Sequence, residues 1–145
     1  MVVPIIQKSA PHAEHFIQEH LHSPQLVAPS GAAPITLTSG AGAWNLGNFG
    51  LAFIATDAVT SVFDLHWIVI SGADSNVWYE VVLYYGATDI ECARAAFGRT
   101  AVFTSSITLP LQTLLIPANS QIRGKMMDDT GGAICTAKIF YHIYD

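Results

Sequence analysis

Charge is what this sequence has least of. Among its 145 residues there are six Lys and Arg and eleven Asp and Glu, 12% in all, about half the share of an ordinary soluble domain. The six bases are scattered from Lys8 to Lys138 and the net charge is −5, so no basic stripe exists to neutralise phosphates and no nucleic-acid partner is expected. Cysteine is scarce too. Cys92 and Cys135 cannot build a disulfide framework and are expected as buried free thiols in a reducing cytoplasm. Long apolar runs are missing: the strongest, Phe49–Ala55 and Trp67–Ile70, fall far short of the roughly 18 residues that cross a bilayer, so no membrane partner is expected. Residues 1–8 lack the basic n-region and long h-region of a signal peptide. Disorder is excluded from the opposite side, because 51% of the residues are hydrophobic and mean hydropathy is +0.39, whereas a disordered chain needs low hydrophobicity and high charge.

The shortage of charge is local. No Asp, Glu, Lys or Arg occurs from His20 to Thr56, nor from Thr100 to Ile122. These blocks are rich in Ala, Ser, Thr, Gly and Pro, which pack closely without demanding solvation. A monomer's surface is normally punctuated with charge, so a subunit interface is expected to cover part of both blocks, with core and tight turns taking the rest.

What is present is strand chemistry behind an unusual N-terminal segment. Pro4 and β-branched neighbours make residues 1–8 an extended apolar arm. Ser9 caps a short helix over about 10–22, with Pro11 in its first turn and Ala13, Phe16, Ile17 and Leu21 on one face. Three turns are marginal alone, so that face must dock on something. Pro24, Pro29 and Pro34 then read as an extended linker, which places the boundary between a 1–34 arm and a 35–145 domain. Strands are expected at Ile35–Thr38, Phe49–Ala55, Val62–Ile70, Val77–Tyr85, Ile90–Phe97 and Leu111–Ile116. In Val62–Ile70 the alternation puts Phe63, Leu65, Trp67 and Val69 on the core face, opposite Asp64 and His66. Ser120–Met127 and Ala133–Tyr144 form the clearest hairpin, joined by Asp128-Asp-Thr-Gly-Gly132. The fold class is therefore all-β, an antiparallel sandwich of jelly-roll type preceded by the arm and helix.

Chemistry is hard to find. His12, His15, Glu19 and His22 share a helical face, and imidazoles beside a carboxylate suit zinc. The pair His20 and His22 would alternatively meet its copies on a three-fold axis. The preferred reading is a solvated face opposite Phe16, Ile17 and Leu21, with no metal and no cofactor. His20-Leu-His22 also has the His-x-His form of cupin metal sites, but no Glu follows in Ser23–Ala28. No Gly-x-Ser-x-Gly elbow is present, Gly40-Ala-Gly42 lacks a third glycine and a helix, and the acids are too scattered for a glycosidase pair. Asp128 and Asp129 offer too few ligands for calcium and read as a turn. No catalytic residue is nominated, and the chain is not expected to be an enzyme. Trp44, Trp78 and Tyr84 are the candidates for stacking on a sugar ring.

Four stretches carry a resemblance: Phe63-Asp-Leu-His-Trp67, Tyr79-Glu-Val-Val-Leu-Tyr84, Ile116-Pro-Ala-Asn-Ser-Gln-Ile-Arg123, and Gly131-Gly-Ala-Ile-Cys-Thr-Ala-Lys-Ile-Phe-Tyr-His142. From Trp44 to the C-terminus the chain resembles the head decoration (cement) and accessory virion β-sandwich proteins of tailed bacteriophages; related sandwiches also serve in fibres and tail parts. The resemblance implies a homotrimer on the outer capsid surface of a virion made in a bacterial cytoplasm. Its partner would be the major capsid protein, clamped through the arm, whose contacts would be Val2, Val3, Ile5, Ile6, Phe16, Ile17 and Leu21. A receptor- or carbohydrate-binding fibre or tail module is the alternative.

Overall fold

The computed structural model describes residues 25–98 and 106–144. The arm contacts Val2, Val3, Ile5, Ile6, Phe16, Ile17 and Leu21, the helix over 10–22 and the histidines His12, His15, His20 and His22 lie outside them. Among the described residues there are eight strands and no helix: β1 (Leu26–Ala28), β2 (Ile35–Thr38), β3 (Val62–Ala73), β4 (Trp78–Tyr85), β5 (Ile90–Gly98), β6 (Ile107–Pro110), β7 (Ile122–Asp128) and β8 (Ile134–Tyr144). Every strand pairing is antiparallel. The larger sheet runs β1-β8-β3-β6, with β2 also on β8, and the smaller runs β5-β4-β7. The expected all-β sandwich of jelly-roll type is the fold.

Alternation gives each sheet one apolar face. Leu37, Phe63, Leu65, Ile68, Ile70, Ala137 and Ile139 of the larger sheet are buried, as are Tyr79, Val81, Leu83, Phe97, Ile122 and Met126 of the smaller. Tyr79 and Phe97 are cross-strand partners whose rings stack at 4.8 Å. Cys135 and Cys92 are free thiols, and burial pushes both up to about 12.

Four expectations about elements are corrected. Leu26–Ala28, assigned to the linker, is a strand on β8, so β1 and β2 lie end to end along one edge of β8. Leu111–Ile116 is not a strand, which ends instead at Pro110; Leu111 and Ile116 bond to β3 through their backbones, while between them the Thr113 hydroxyl accepts from the Leu65 amide. Phe49–Ala55 is not a strand either. The amides of Trp44, Gly47, Gly50 and Phe53 donate to the carbonyls of Asp128, Met126, Gly124 and Ile122, three residues of this strap for every two of β7. That is about 2.2 Å per residue, too compact for a strand rising about 3.3 Å. Glycine is required on its inner side, because a Cβ on Gly47 would stand 1.8 Å from the Thr38 carbonyl oxygen.

The fourth correction concerns the expected hairpin. β7 and β8 are consecutive but belong to different sheets, so residues 129–133 arch from one to the other. Asp128 builds the arch. Its carboxylate, wholly buried, accepts from the Thr130 amide at 2.8 Å, the Thr130 hydroxyl at 2.8 Å, the Gly131 amide at 2.5 Å and the Ala133 amide at 3.3 Å. It also accepts from the Ser39 hydroxyl, just beyond β2. Gly131 and Gly132 follow at φ 97° and 80°, where only glycine sits without strain. The pair Asp128 and Asp129 thus serves a turn, as the sequence indicated.

Burial opposes ionisation of Asp128, but the Ser39 hydroxyl, the Gly131 and Thr130 amides and the Thr130 hydroxyl outweigh it. Together they hold the carboxyl well below the usual carboxylate range. A depressed folded-state value means stabilisation that is complete above the unfolded value of about 3.9 and drains away as pH falls below it. Asp128→Asn is expected to lower unfolding free energy by about 2–3 kcal/mol at pH 7, and to flatten the loss of stability between pH 4 and pH 2 in urea titrations. An unchanged acid limb would remove Asp128 from this role. Gly47→Ala is expected to cost about 2–3 kcal/mol by overpacking, and an unaltered urea midpoint would show that the strap yields freely.

Candidate functional site

The two outer faces of the sandwich differ in kind. The three strands of the smaller sheet contain six charged residues, Glu80, Glu91, Arg94, Arg123, Lys125 and Asp128. Arg94 pairs with Glu80 and Glu91 at 2.6 Å each, and Arg123 pairs with Asp89 at 2.6 Å. Arg123 and Lys125 also lie over the Phe49 ring, at 4.0 and 4.4 Å. This is a solvated face. The five strands of the larger sheet contain two charged residues, Asp64 and Lys138.

A bulge in β3 shapes that quieter face. Leu65 pairs with Tyr141 and Trp67 with Phe140, so His66 is an extra residue with no partner in the register. An extra residue reverses the phase of everything after it. Phe63 and Leu65 point into the core, and then Ile68 and Ile70 do, while Trp67 is 39% exposed. The expected core position of Trp67 is therefore overturned. Trp67, Val69, Thr108, Phe140 and Gln25 line a shallow depression of about 230 Å³ on the outside of the sheet.

Beside it three polar groups converge. Asp64 faces His142 across the β3–β8 pairing. His66 Nε2 lies 2.9 Å from Asp64 Oδ1 and 3.0 Å from His142 Nδ1, and the imidazole centroids are 3.9 Å apart. Tyr144 donates its hydroxyl to Asp64 Oδ2 at 2.9 Å. A carboxylate and two imidazoles are the donor set of many divalent-metal sites. The sequence reading placed Asp64 and His66 on one strand face but did not connect them with His142, 76 residues away; only the β3–β8 register could have done so.

The candidate sugar-stacking residues are not gathered on one platform. Trp44 is 49% and Trp78 61% exposed, and the backbones of both bond to the Asp128–Asp129 corner. Tyr84 stands six residues further along β4, roughly 20 Å away, edge-on to Phe49 at 5.3 Å.

No known protein family matches the chain, and no curated protein matches it. Among solved structures it is similar to a chain of infectious bursal disease virus, Gt strain, at 11% identity and a TM-score of 0.45, over 84% of this chain and 32% of that one. It is also similar to the carbohydrate-binding module CBM6cm-2 of Cellvibrio mixtus lichenase 5A, seen in complex with cellotriose. There the identity is 13% and the TM-score 0.41, over 85% of this chain and 88% of that one. This chain spans about a third of the length of the viral chains. Likenesses of this size assign neither family nor activity.

The phase reversal has a direct consequence for stability. Ile68→Ala is expected to cost about 3–4 kcal/mol, as for a core residue, and Trp67→Ala no more than about 1 kcal/mol. Denaturant titration of the two variants checks this, and the opposite ranking would restore Trp67 to the core.

Proposed function

We propose that this chain is a non-enzymatic assembly protein, a capsid decoration or cement β-sandwich that associates through the uncharged outer face of its larger sheet. The observation that carries the proposal is the contrast between the faces. One is laced with ion pairs, and the other offers Trp67, Val69 and Phe140 around a hollow with Asp64 and Lys138 as its strands' only charges. Such a face in water is the surface that a partner covers. Further apolar residues stand out from the charge-free blocks: Leu51 is 79%, Leu114 91% and Leu115 61% exposed. The resemblance of Phe63–Trp67, Tyr79–Tyr84, Ile116–Arg123 and Gly131–His142 to phage accessory virion proteins supports the same reading. In it the partners are the major capsid protein and two further copies of the chain, with the outer capsid surface as the location. The arm, residues 1–22, adds a tethered contact, and three arms on one trimer multiply a weak attachment.

The test is co-sedimentation with empty capsids of the phage that carries the gene. The intact chain is expected to pellet with capsids. The double variant Trp67→Glu and Phe140→Ser should remain folded, because both residues face outward, and should stay in the supernatant. Deleting residues 1–22 should leave a folded trimer by sedimentation equilibrium that no longer decorates capsids. Normal occupancy by the double variant would refute the assigned face, and normal occupancy by the deletion would refute the arm. Trp44 and Trp78, exposed on one corner, favour a carbohydrate-binding module as the second reading. Glycan binding that disappears with Trp44→Ala or Trp78→Ala, together with no capsid binding, would establish it instead.

A further inference from the structure

We infer that Asp64, His66 and His142 form a divalent transition-metal site, with zinc-class ions as its ligands, that ties β3 to β8 across the outer face of the larger sheet. The donor atoms Asp64 Oδ1, His66 Nε2 and His142 Nδ1 all lie within 4.8 Å of one another. Two of their separations are 2.9 and 3.0 Å. An ion with bonds of about 2.1 Å holds adjacent octahedral ligands about 3.0 Å apart, and tetrahedral ones about 3.4 Å apart. Both short edges thus match ligands gathered round one ion.

The direction of the groups distinguishes this from an ordinary ion pair. The N–H of an imidazole lies in the ring plane, so its aim is fixed by the ring. Asp64 Oδ1 is buried and accepts no hydrogen bond among the described residues, although His66 Nε2 is 2.9 Å away. A carboxylate oxygen buried without a donor is costly, and a cation seated between oxygen and nitrogen removes the cost. His142 is 5% exposed on a face that points away from the core, so the group is sheltered from bulk water. The Tyr144 hydroxyl holds Asp64 through Oδ2, leaving Oδ1 for the ion and fixing the carboxylate's orientation as outer-shell donors do. Two nitrogens and one oxygen select the borderline ions, Zn²⁺, Co²⁺ or Ni²⁺, over Ca²⁺ and Mg²⁺, which prefer oxygen. The inference does not depend on what the larger sheet binds.

The experiment titrates the full chain, stripped with chelator, with Co²⁺ and Zn²⁺. Visible Co²⁺ absorption saturating at one ion per chain is expected. Zn²⁺ at a hundredfold excess over its dissociation constant should raise the melting temperature by about 5–10 °C. Asp64→Asn, close to isosteric, and His142→Ala should each weaken binding at least 100-fold, with Asp64→Asn decisive if His142→Ala does not fold. Tyr144→Phe should weaken it roughly tenfold through loss of orientation. A variant carrying His12→Ala, His15→Ala, His20→Ala and His22→Ala should bind as the parent does. The site is overturned if the parent shows neither the absorption nor the thermal shift. It is equally overturned if both vanish in the four-histidine variant and persist in Asp64→Asn.

Discussion

Asp128 is wholly buried and holds a carboxylate that five donors keep ionised, and the path of the chain between the two sheets is built round it. Had residues 128–132 closed as a hairpin, β8 would lie beside β7 in the smaller sheet. Instead the arch delivers β8 to the larger sheet, where it pairs with β1, β2 and β3 and is the strand without which that sheet has no centre. The vacated edge of β7 is then taken by the strap, whose amides at Trp44, Gly47, Gly50 and Phe53 meet the carbonyls a hairpin partner would have met. Ser39 completes the circuit by tying the end of β2 to the same carboxylate. Arch, strap and central strand are thus consequences of one buried charge and the two glycines that follow it.

Local pattern carried most of the strand content, because alternation and β-branched runs are properties of adjacent residues. Ile35–Thr38, Val77–Tyr85 and Ile90–Phe97 coincide with or lie within a residue of β2, β4 and β5. The misreadings arise where pairing partners decide. Phe49–Ala55 is apolar enough for a strand, but Gly47 and Gly50 press against the backbone of β2 and shorten the rise. A turn sequence such as Asp-Asp-Thr-Gly-Gly looks the same whether the next strand folds back or crosses over. Of the outer-face groups, Asp64 and His66 were visible as a polar pair in the sequence. His142 was not, since it joins them through a register that no spacing announces.

The face contrast also has a physical origin beyond composition. A sandwich needs only its two inner faces to be apolar, and the outer ones are free to carry whatever water or a partner demands. On the smaller sheet that freedom is used for cross-strand ion pairs, which keep an exposed surface solvated and discourage association. The larger sheet forgoes them over four of its five strand-edge rows, and the solvent-facing leucines at 51, 114 and 115 extend the same economy of charge into the loops. A chain that spends its few charges on one side has a direction, and direction is what a component of a layered assembly requires.

Both features of the larger sheet's outer face trace to a single residue. In an unbroken strand, His66 and Trp67 would point to opposite sides, Trp67 and Val69 would enter the core, and Ile68 and Ile70 would meet solvent. The extra residue at His66 lets two consecutive side chains share the outer face. It leaves the imidazole against Asp64 and His142, and turns the indole out beside Phe140. The same slip returns Ile68 and Ile70 to the core, so packing loses nothing. Bulges interrupt ladder pairing and increase local twist, and this one is pinned from outside the ladder, since the His66 carbonyl accepts from the Leu111 amide. An ion bridging β3 and β8 at the same level would hold the bulge from the other side. The rigidity of Trp67, and with it the shape of the surface offered to a partner, would then depend on metal occupancy one residue away.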